Sequence, residues 1–150
     1  MLRLATVGTS GITEKFLSAC RLTGRYELHT CYSRTLETGK KFAEAQGFKF
    51  FSNDLSDVAQ NPQIDAVYIA TPNIFHYEQS KLFLQNGKHV ICEKPITTNR
   101  KEYDELLSLA NKNNVIYIEA IISHHSKGRK ILLENLKEIG NISQVRIDFC

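Results

Sequence analysis

The feature that most constrains this chain is a regular alternation of short apolar runs with segments of helical spacing. The first apolar run, Leu2–Val7, leads directly into a glycine, and apolar residues at helical spacing follow. The alternation continues to Ala120 without a long loop. It favours an α/β fold, a doubly wound parallel sheet with helices on both faces and right-handed crossovers. The expected strand order is 3-2-1-4-5-6, which brings ligands to the carboxyl ends of the strands.

The pattern predicts the following elements. Strands are expected at residues 2–7, 27–33, 49–51, 65–70, 88–92, 115–120 and 142–149, and helices at 12–22, 36–46, 55–59, 74–85, 101–111 and 126–139. Thr35 and Asn99 are the expected helix N-caps. We expect a domain at residues 1–120, and at 121–150 a helix and the first strand of a further domain.

Composition excludes several classes of protein. Hydrophobic residues make up 42% of the 150 residues and charged residues 23%, which is an ordinary globular balance. The net charge of +3 comes from interspersed side chains, so nucleic acid is not an expected partner. No apolar stretch approaches the roughly 20 residues of a membrane span. The four cysteines form no C-x-x-C pair, and the adjacent His124 and His125 do not face one another, so we expect no metal site and a cytoplasmic location.

The turn after the first strand carries a partial dinucleotide fingerprint. It reads Gly8-Thr9-Ser10-Gly11-Ile12-Thr13, so only the first position of G-x-G-x-x-G/A is a glycine. Gly8 permits the tight turn, and the small side chain of Ser10 lets the backbone approach a pyrophosphate closely. The free N–H groups at the start of the next helix point at that phosphate. This predicts a pyrophosphate site in a Rossmann fold, against the alternative of a plain strand-to-helix turn.

The second strand ends without the acidic residue that binds the ribose hydroxyls in NAD-preferring folds. Ser33 and Arg34 stand there instead. A hydroxyl and a guanidinium suit a 2′-phosphate, so the sequence favours NADP over NAD. The alternative is that Arg34 is a solvated surface residue.

Two more strand ends carry candidate residues. Thr71-Pro72-Asn73 follows the fourth strand, with Asn73 as a cap and His76 three residues later at the rim expected for the nicotinamide ribose. Glu93-Lys94-Pro95 follows the fifth strand, where a lysine is placed for proton transfer or for polarising a carbonyl, with Glu93 orienting it. Taken alone, each set is also compatible with a cap or a solvated side chain.

Together these motifs resemble the Gfo/Idh/MocA family of NAD(P)-dependent oxidoreductases. The resemblance rests on Gly8-Thr9-Ser10-Gly11-Ile12, Ser33-Arg34, Thr71-Pro72-Asn73 with His76, Gly87-Lys88-His89-Val90 and Glu93-Lys94-Pro95. It implies that Lys94 is the catalytic lysine beside the nicotinamide and that the bond before Pro95 is cis. The residues that it implies for NAD(P) binding are Gly8, Thr9, Ser10, Gly11, Ile12, Ser33, Arg34, Thr71, Pro72, Asn73, His76, Glu93, Lys94 and Pro95. Ser10 departs from the family by replacing the usual second glycine.

The resemblance also implies hydride transfer to or from sugars, polyols or cyclitols. Family members are more than twice this length, so we expect the chain to stop before a substrate domain and to be inactive alone. Its last strand, 142–149, is then expected to pair with a second copy or to dock on the parent sheet. The rival interpretations are a non-catalytic NAD(P)-binding or sensing module and a methyltransferase. A methyltransferase would need an acid after the second strand, and this sequence has none there.

Overall fold

A computed structural model describes residues 1–146. The chain divides into a compact unit, Met1–Ala120, and a second unit that begins at Ile121. No helix among the described residues is long and apolar enough to cross a membrane.

The first unit is a parallel sheet of six strands. The strands are β1 (Leu2–Val7), β2 (Tyr26–Tyr32), β3 (Phe50–Ser52), β4 (Ala66–Ile69), β5 (His89–Cys92) and β6 (Tyr117–Glu119), in the order β3-β2-β1-β4-β5-β6. Every pairing between neighbours is parallel. The predicted fold class and strand order are therefore confirmed. Between β1 and β4 the order reverses, and such a reversal opens a crevice at the carboxyl ends of the strands.

Helices cover both faces of this sheet. They are α1 (Gly11–Thr23), α2 (Leu36–Gln46), α3 (Leu55–Gln60), α4 (His76–Gln85) and α5 (Arg100–Lys112). Successive strand residues point to opposite faces. Accordingly Leu4 packs with side chains of α1 and α2, whereas its neighbour Ala5 packs in a second cluster with side chains of α3, α4 and α5. The two apolar clusters bury both faces of the central strands.

Most helix ends follow the predicted capping chemistry. The side chain of Thr35 accepts a hydrogen bond from the Thr38 amide at the start of α2, and the side chain of Asn99 accepts one from the Glu102 amide at the start of α5. The cap expected at Asn73 is wrong. Pro72 is the capping residue there, and Asn73 begins a short 3-10 helix, Asn73–Phe75, that runs into α4.

The second unit contains a 3-10 helix, Ile122–His125, and the helix α6 (Lys127–Ile139), which Ser126 caps through the amide of Arg129. Residues 142–146 form neither helix nor strand, so that part of the predicted strand 142–149 is wrong. An alternating pattern becomes a strand only beside a partner strand, and the described residues of this unit contain none. Residues 147–149 lie outside the described residues, and self-association through 142–149 stays a prediction.

Candidate functional site

The carboxyl ends of β1, β2 and β4 surround a cleft of about 720 Å³. Seven of the predicted site residues line it: Gly8, Thr9, Ser10, Ser33, Arg34, Thr71 and Pro72. Further lining residues come from the same strand ends and helices, namely Tyr32, Thr35, Thr38, Leu55, Ala70, Phe75 and Gln79. None of these fourteen residues is acidic, and Arg34 is the only charged one.

Gly8 follows β1 and contacts the ends of β2 and β4 beside the cleft. Its amide donates to Tyr32 O at 3.3 Å, and its φ of +108° lies in a region that L side chains rarely adopt. A methyl group on Gly8 would lie 2.6 Å from Ala70 O at the end of β4. The first glycine of the turn is therefore required by both its conformation and its close approach to β4.

The rest of this turn leads into the amino end of α1. Ser10 is the N-cap residue of α1, but its side chain makes no capping hydrogen bond to the helix backbone. Gly11 is exposed and Ile12 is half-buried in the first turn of α1. Because the first amides of a helix have no intrahelical acceptor, this turn presents donors and a positive dipole end beside the cleft.

The end of β2 is held by backbone and hydroxyl contacts that leave Arg34 free. Ser33 is buried, and its amide donates to Ser52 O at 3.0 Å. Thr35 Oγ1 donates to Thr38 Oγ1 at 2.9 Å in the first turn of α2. Among the described residues Arg34 is exposed and its guanidinium has no hydrogen-bond or ion-pair partner. A free cation beside hydroxyls and a helix N-terminus can bind a dianionic phosphate.

The loop after β4 forms the opposite wall. Thr71 Oγ1 donates to Gln79 Oε1 at 2.6 Å, which ties the loop to α4. Asn73 is exposed next to the cleft wall. His76, expected at the rim, is completely buried behind the wall, where its ring nitrogens lie near the carbonyl oxygens of Thr71 and Pro95. A buried ring with both nitrogens engaged is not open to a cofactor.

The loop after β5 carries Lys94 at the next strand end. Tyr68 OH donates to Glu93 Oε1 at 2.6 Å, and burial together with this carboxylate raises the pKa of Tyr68, which keeps the phenol a donor. Glu93 Oε2 accepts a hydrogen bond from the backbone amide of Lys94 at 3.4 Å. We expected Glu93 to orient the side chain of Lys94 instead, and the ammonium does not contact it. The ammonium of Lys94 is exposed and unpaired within the described part of the chain. The bond between Lys94 and Pro95 is cis, as expected.

The Gly-Lys-His-Val motif lies at the amino end of β5, at the opposite edge of the sheet. Lys88 Nζ donates to Asn61 O at 2.6 Å and to Ile64 O at 2.9 Å, and burial lowers the pKa of this amine. His89 Nδ1 accepts the amide of Ile116 at 3.0 Å. These two residues therefore hold the loops before β4 and β6.

Comparison with known proteins identifies the family. The Gfo/Idh/MocA model, an oxidoreductase family with an NAD-binding Rossmann fold, matches residues 2–121. The chain belongs to this family.

The described residues contain no cluster of side chains that could hold a metal ion.

Proteins with similar sequences or structures are more than twice as long. A scyllo-inositol 2-dehydrogenase (NADP+) of Bacillus subtilis (strain 168) is 37% identical over 150 residues, which is 100% of this chain and 46% of that protein. A trans-1,2-dihydrobenzene-1,2-diol dehydrogenase of Xenopus tropicalis is 31% identical over 121 residues, 78% of this chain and 36% of that protein. A solved 3-ketoreductase from Actinomadura kijaniata, in complex with NADP and TDP-benzene, superposes with a TM-score of 0.86 at 26% identity, covering 91% of this chain and 42% of that one. The chain thus spans less than half the length of these relatives.

Proposed function

We propose that this chain is the cofactor-binding part of an oxidoreductase that moves a hydride between NADP(H) and a carbinol or ketone carbon. The observation that carries the proposal is the cleft of about 720 Å³, which contains a free Arg34 and no carboxylate. A dinucleotide is a polyanion, and its binding is favoured by a cation, hydroxyl donors and a helix N-terminus. When bound, the nicotinamide supplies the hydride acceptor or donor.

Three groups of residues would divide the cofactor between them. Gly8, Thr9, Ser10, Gly11 and Ile12 would hold the pyrophosphate. Ser33 and Arg34 would bind the adenosine ribose and its 2′-phosphate. The nicotinamide side would lie against Thr71, Pro72 and Asn73, with Glu93, Lys94 and Pro95 in the adjacent loop.

The preference for NADP over NAD follows from the charges at the end of β2. A carboxylate at this position would accept hydrogen bonds from the ribose hydroxyls of NAD and would repel the 2′-phosphate of NADP. The residues that line the cleft include no carboxylate. The dehydrogenase of Bacillus subtilis is named as an NADP+ enzyme, and the reductase of Actinomadura kijaniata was solved with NADP bound, which supports the same preference here.

Lys94 would exchange a proton with the substrate oxygen. Its exposed ammonium has no acidic partner among the described residues, so it is available to donate a hydrogen bond or a proton to a carbonyl oxygen while the hydride moves to the carbon. Relatives named for an inositol and for a 3-ketone support a sugar, polyol or cyclitol as the substrate. The free thiols of Cys20, Cys31 and Cys92 support a reducing compartment, the cytoplasm.

Titration of the chain with NADPH and NADH, followed by dihydronicotinamide fluorescence, tests the cofactor site. A hydrogen bond to a charged group contributes about 1.5–3 kcal/mol. We therefore expect NADPH to bind about 10-fold to 150-fold more tightly than NADH, and Arg34→Ala to remove most of that difference.

Two variants serve as controls for this titration. Arg25→Ala also removes one arginine, but this residue precedes the amino end of β2, away from the cleft. The variant should leave the affinities for NADPH and NADH unchanged. Lys94→Ala should also leave NADPH affinity unchanged, because the lysine acts on the substrate oxygen. Equal affinities for NADPH and NADH in the original chain would refute the 2′-phosphate site, and no binding of either would refute the cofactor cleft.

A further inference from the structure

The side chain of His76 bridges two loops that approach the site from different strands. His76 begins α4 and is fully buried. Its Nδ1 lies 2.8 Å from Pro95 O, and its Nε2 lies 2.8 Å from Thr71 O. One ring thus spans the loop after β4 and the loop after β5.

The chemistry of the ring defines what this bridge can do. A carbonyl oxygen only accepts hydrogen bonds, so a ring nitrogen contributes a bond only when it carries a proton. A neutral imidazole donates to one of the two carbonyls, and the protonated ring donates to both. In either form the second nitrogen remains against a carbonyl oxygen and has no access to a ligand in the cleft.

The two bridged loops carry different parts of the proposed site. Thr71 lines the cleft, and Pro95 directly follows Lys94. Other hydrogen bonds attach the Lys94 loop to strands: Tyr68 OH to Glu93, the Glu93 amide to Ile69 O, the Ile96 amide to Glu119 Oε1 at 3.0 Å, and Tyr117 OH to Ile96 O. The contact at Pro95 O instead joins the loop, through His76, to the loop after β4 that forms the cleft wall.

We propose that His76 is a positioning residue, which sets the Lys94 loop against the Thr71 loop and so fixes the place of Lys94 relative to the cofactor. Because the ammonium of Lys94 has no partner of its own among the described residues, the backbone on either side determines where it lies. The consequence for Lys94 rests on the proposed function. The link between the loops does not.

Asparagine and glutamine separate the two halves of the bridge. The amide nitrogen of Asn is as many bonds from Cα as Nδ1 of His, and the amide nitrogen of Gln is as many as Nε2. His76→Asn therefore keeps a donor for Pro95 O and loses the one for Thr71 O. His76→Gln does the reverse. The two variants are neutral amides, so each is the control for the other.

Amide hydrogen exchange of the chain reads out each loop. The amide of Ile96 reports on the Lys94 loop, and that of Phe75, which donates to Pro72 O at 2.9 Å, reports on the Thr71 loop. His76→Gln should speed exchange at Ile96 by about tenfold, the factor for one lost hydrogen bond. His76→Asn should speed exchange at Phe75 instead. A protonated ring donates to both carbonyls and gives both effects, whereas a neutral ring donates to one carbonyl and gives only the effect on that side. The amide of Ser33 in the distant β2–β3 contact should change in neither variant.

The resonance of the Lys94 ε-methylene, followed with and without NADP+, reads out the lysine. We expect it to shift with NADP+ in the original chain and in His76→Asn, and to shift at most half as much in His76→Gln. Equal acceleration of Phe75, Ile96 and Ser33 in both variants would show that His76 is only a packing residue and would overturn the proposal. A Lys94 shift that is the same in all three proteins would also overturn it.

Two further results keep the test decisive. If NADP+ shifts no resonance in any of the proteins, the proposed function fails, while the exchange pattern at Ile96 and Phe75 still decides the link between the loops. If a variant does not fold, the ring of the original chain is measured directly. A His76 N–H proton held by a carbonyl exchanges slowly with water, and exchange as fast as that of an exposed imidazole would overturn the proposal.

Discussion

Gly8→Ala introduces one methyl group at the point where β1, β2 and β4 meet. The methyl carbon would lie 2.6 Å from Ala70 O and 3.1 Å from Ala70 C. Neither atom can easily give way, because the Ala70 amide donates to Val7 O at 2.9 Å within the β1–β4 pairing. The φ of +108° at this position adds a conformational cost for any L side chain.

These two costs set the expected size of the effect. A non-glycine residue in a sparsely populated backbone region costs about 1–3 kcal/mol. Forcing an extra carbon into a packed interior costs about another 1–3 kcal/mol. Gly8→Ala should therefore lower the free energy of unfolding by about 2–6 kcal/mol, which is a large part of the 5–15 kcal/mol typical of a domain.

Urea denaturation followed by circular dichroism measures this loss, and Gly11→Ala is the matched control. Gly11 begins α1, has no left-handed φ, and has no atom within 4 Å of an added methyl group. Alanine there should be neutral or stabilise the domain by about 0.4–1 kcal/mol. A loss of less than about 1 kcal/mol in Gly8→Ala would refute the steric argument, as would equal losses in both variants.

Two other predictions concern ionisable groups. Arg3 donates to Asp65 and lowers the pKa of that carboxyl to about 2, so the pair stabilises the fold above pH 4 and this stabilisation is lost as the pH falls towards 2. After allowance for solvent screening, Asp65→Asn should lower the free energy of unfolding by about 1 kcal/mol at pH 7. Acid titrations followed by circular dichroism should show that the variant's stability depends less on pH between pH 4 and 2. Burial raises the pKa of Cys92 to about 12 and of Cys20 and Cys31 to about 11, so iodoacetamide at pH 8 should leave these three thiols unmodified in the folded chain and modify them in urea, as read by peptide mass spectrometry; rapid labelling of any of them in the folded chain would contradict the buried placement.

Strand order and helix ends could be predicted from the sequence because each depends on local pattern or on general topological rules. The predicted boundaries of α2 are those observed, since Thr35 caps one end and Gly47 ends the other with a φ of +73°. The shorter strands differ by a residue or two, as at β6, where 115–120 was predicted and Tyr117–Glu119 is observed. Strand ends are set by pairing with neighbours, which a single sequence does not contain.

Side-chain partners were harder to predict than elements. The sequence placed His76 at the rim because it follows Thr71-Pro72-Asn73, whereas the ring is turned inward by two carbonyls, one of them nineteen residues away at Pro95. Thr38 and Gln79 line the cleft from within α2 and α4, and the hydropathy pattern of these helices gives no sign of that role. For Thr38, its place one turn after the cap Thr35 was a usable signal, because the first turn of a helix faces the strand end that precedes it.

The most direct test of the account is a structure of the chain with NADP+ bound. We predict that the pyrophosphate lies at Gly8, Thr9 and Ser10 beside the amino end of α1, with the 2′-phosphate within hydrogen-bond distance of Arg34 and Ser33. The nicotinamide should lie on the side of Thr71 and Lys94. A dinucleotide bound elsewhere, or a 2′-phosphate pointing into solvent with Arg34 still unpaired, would contradict the account.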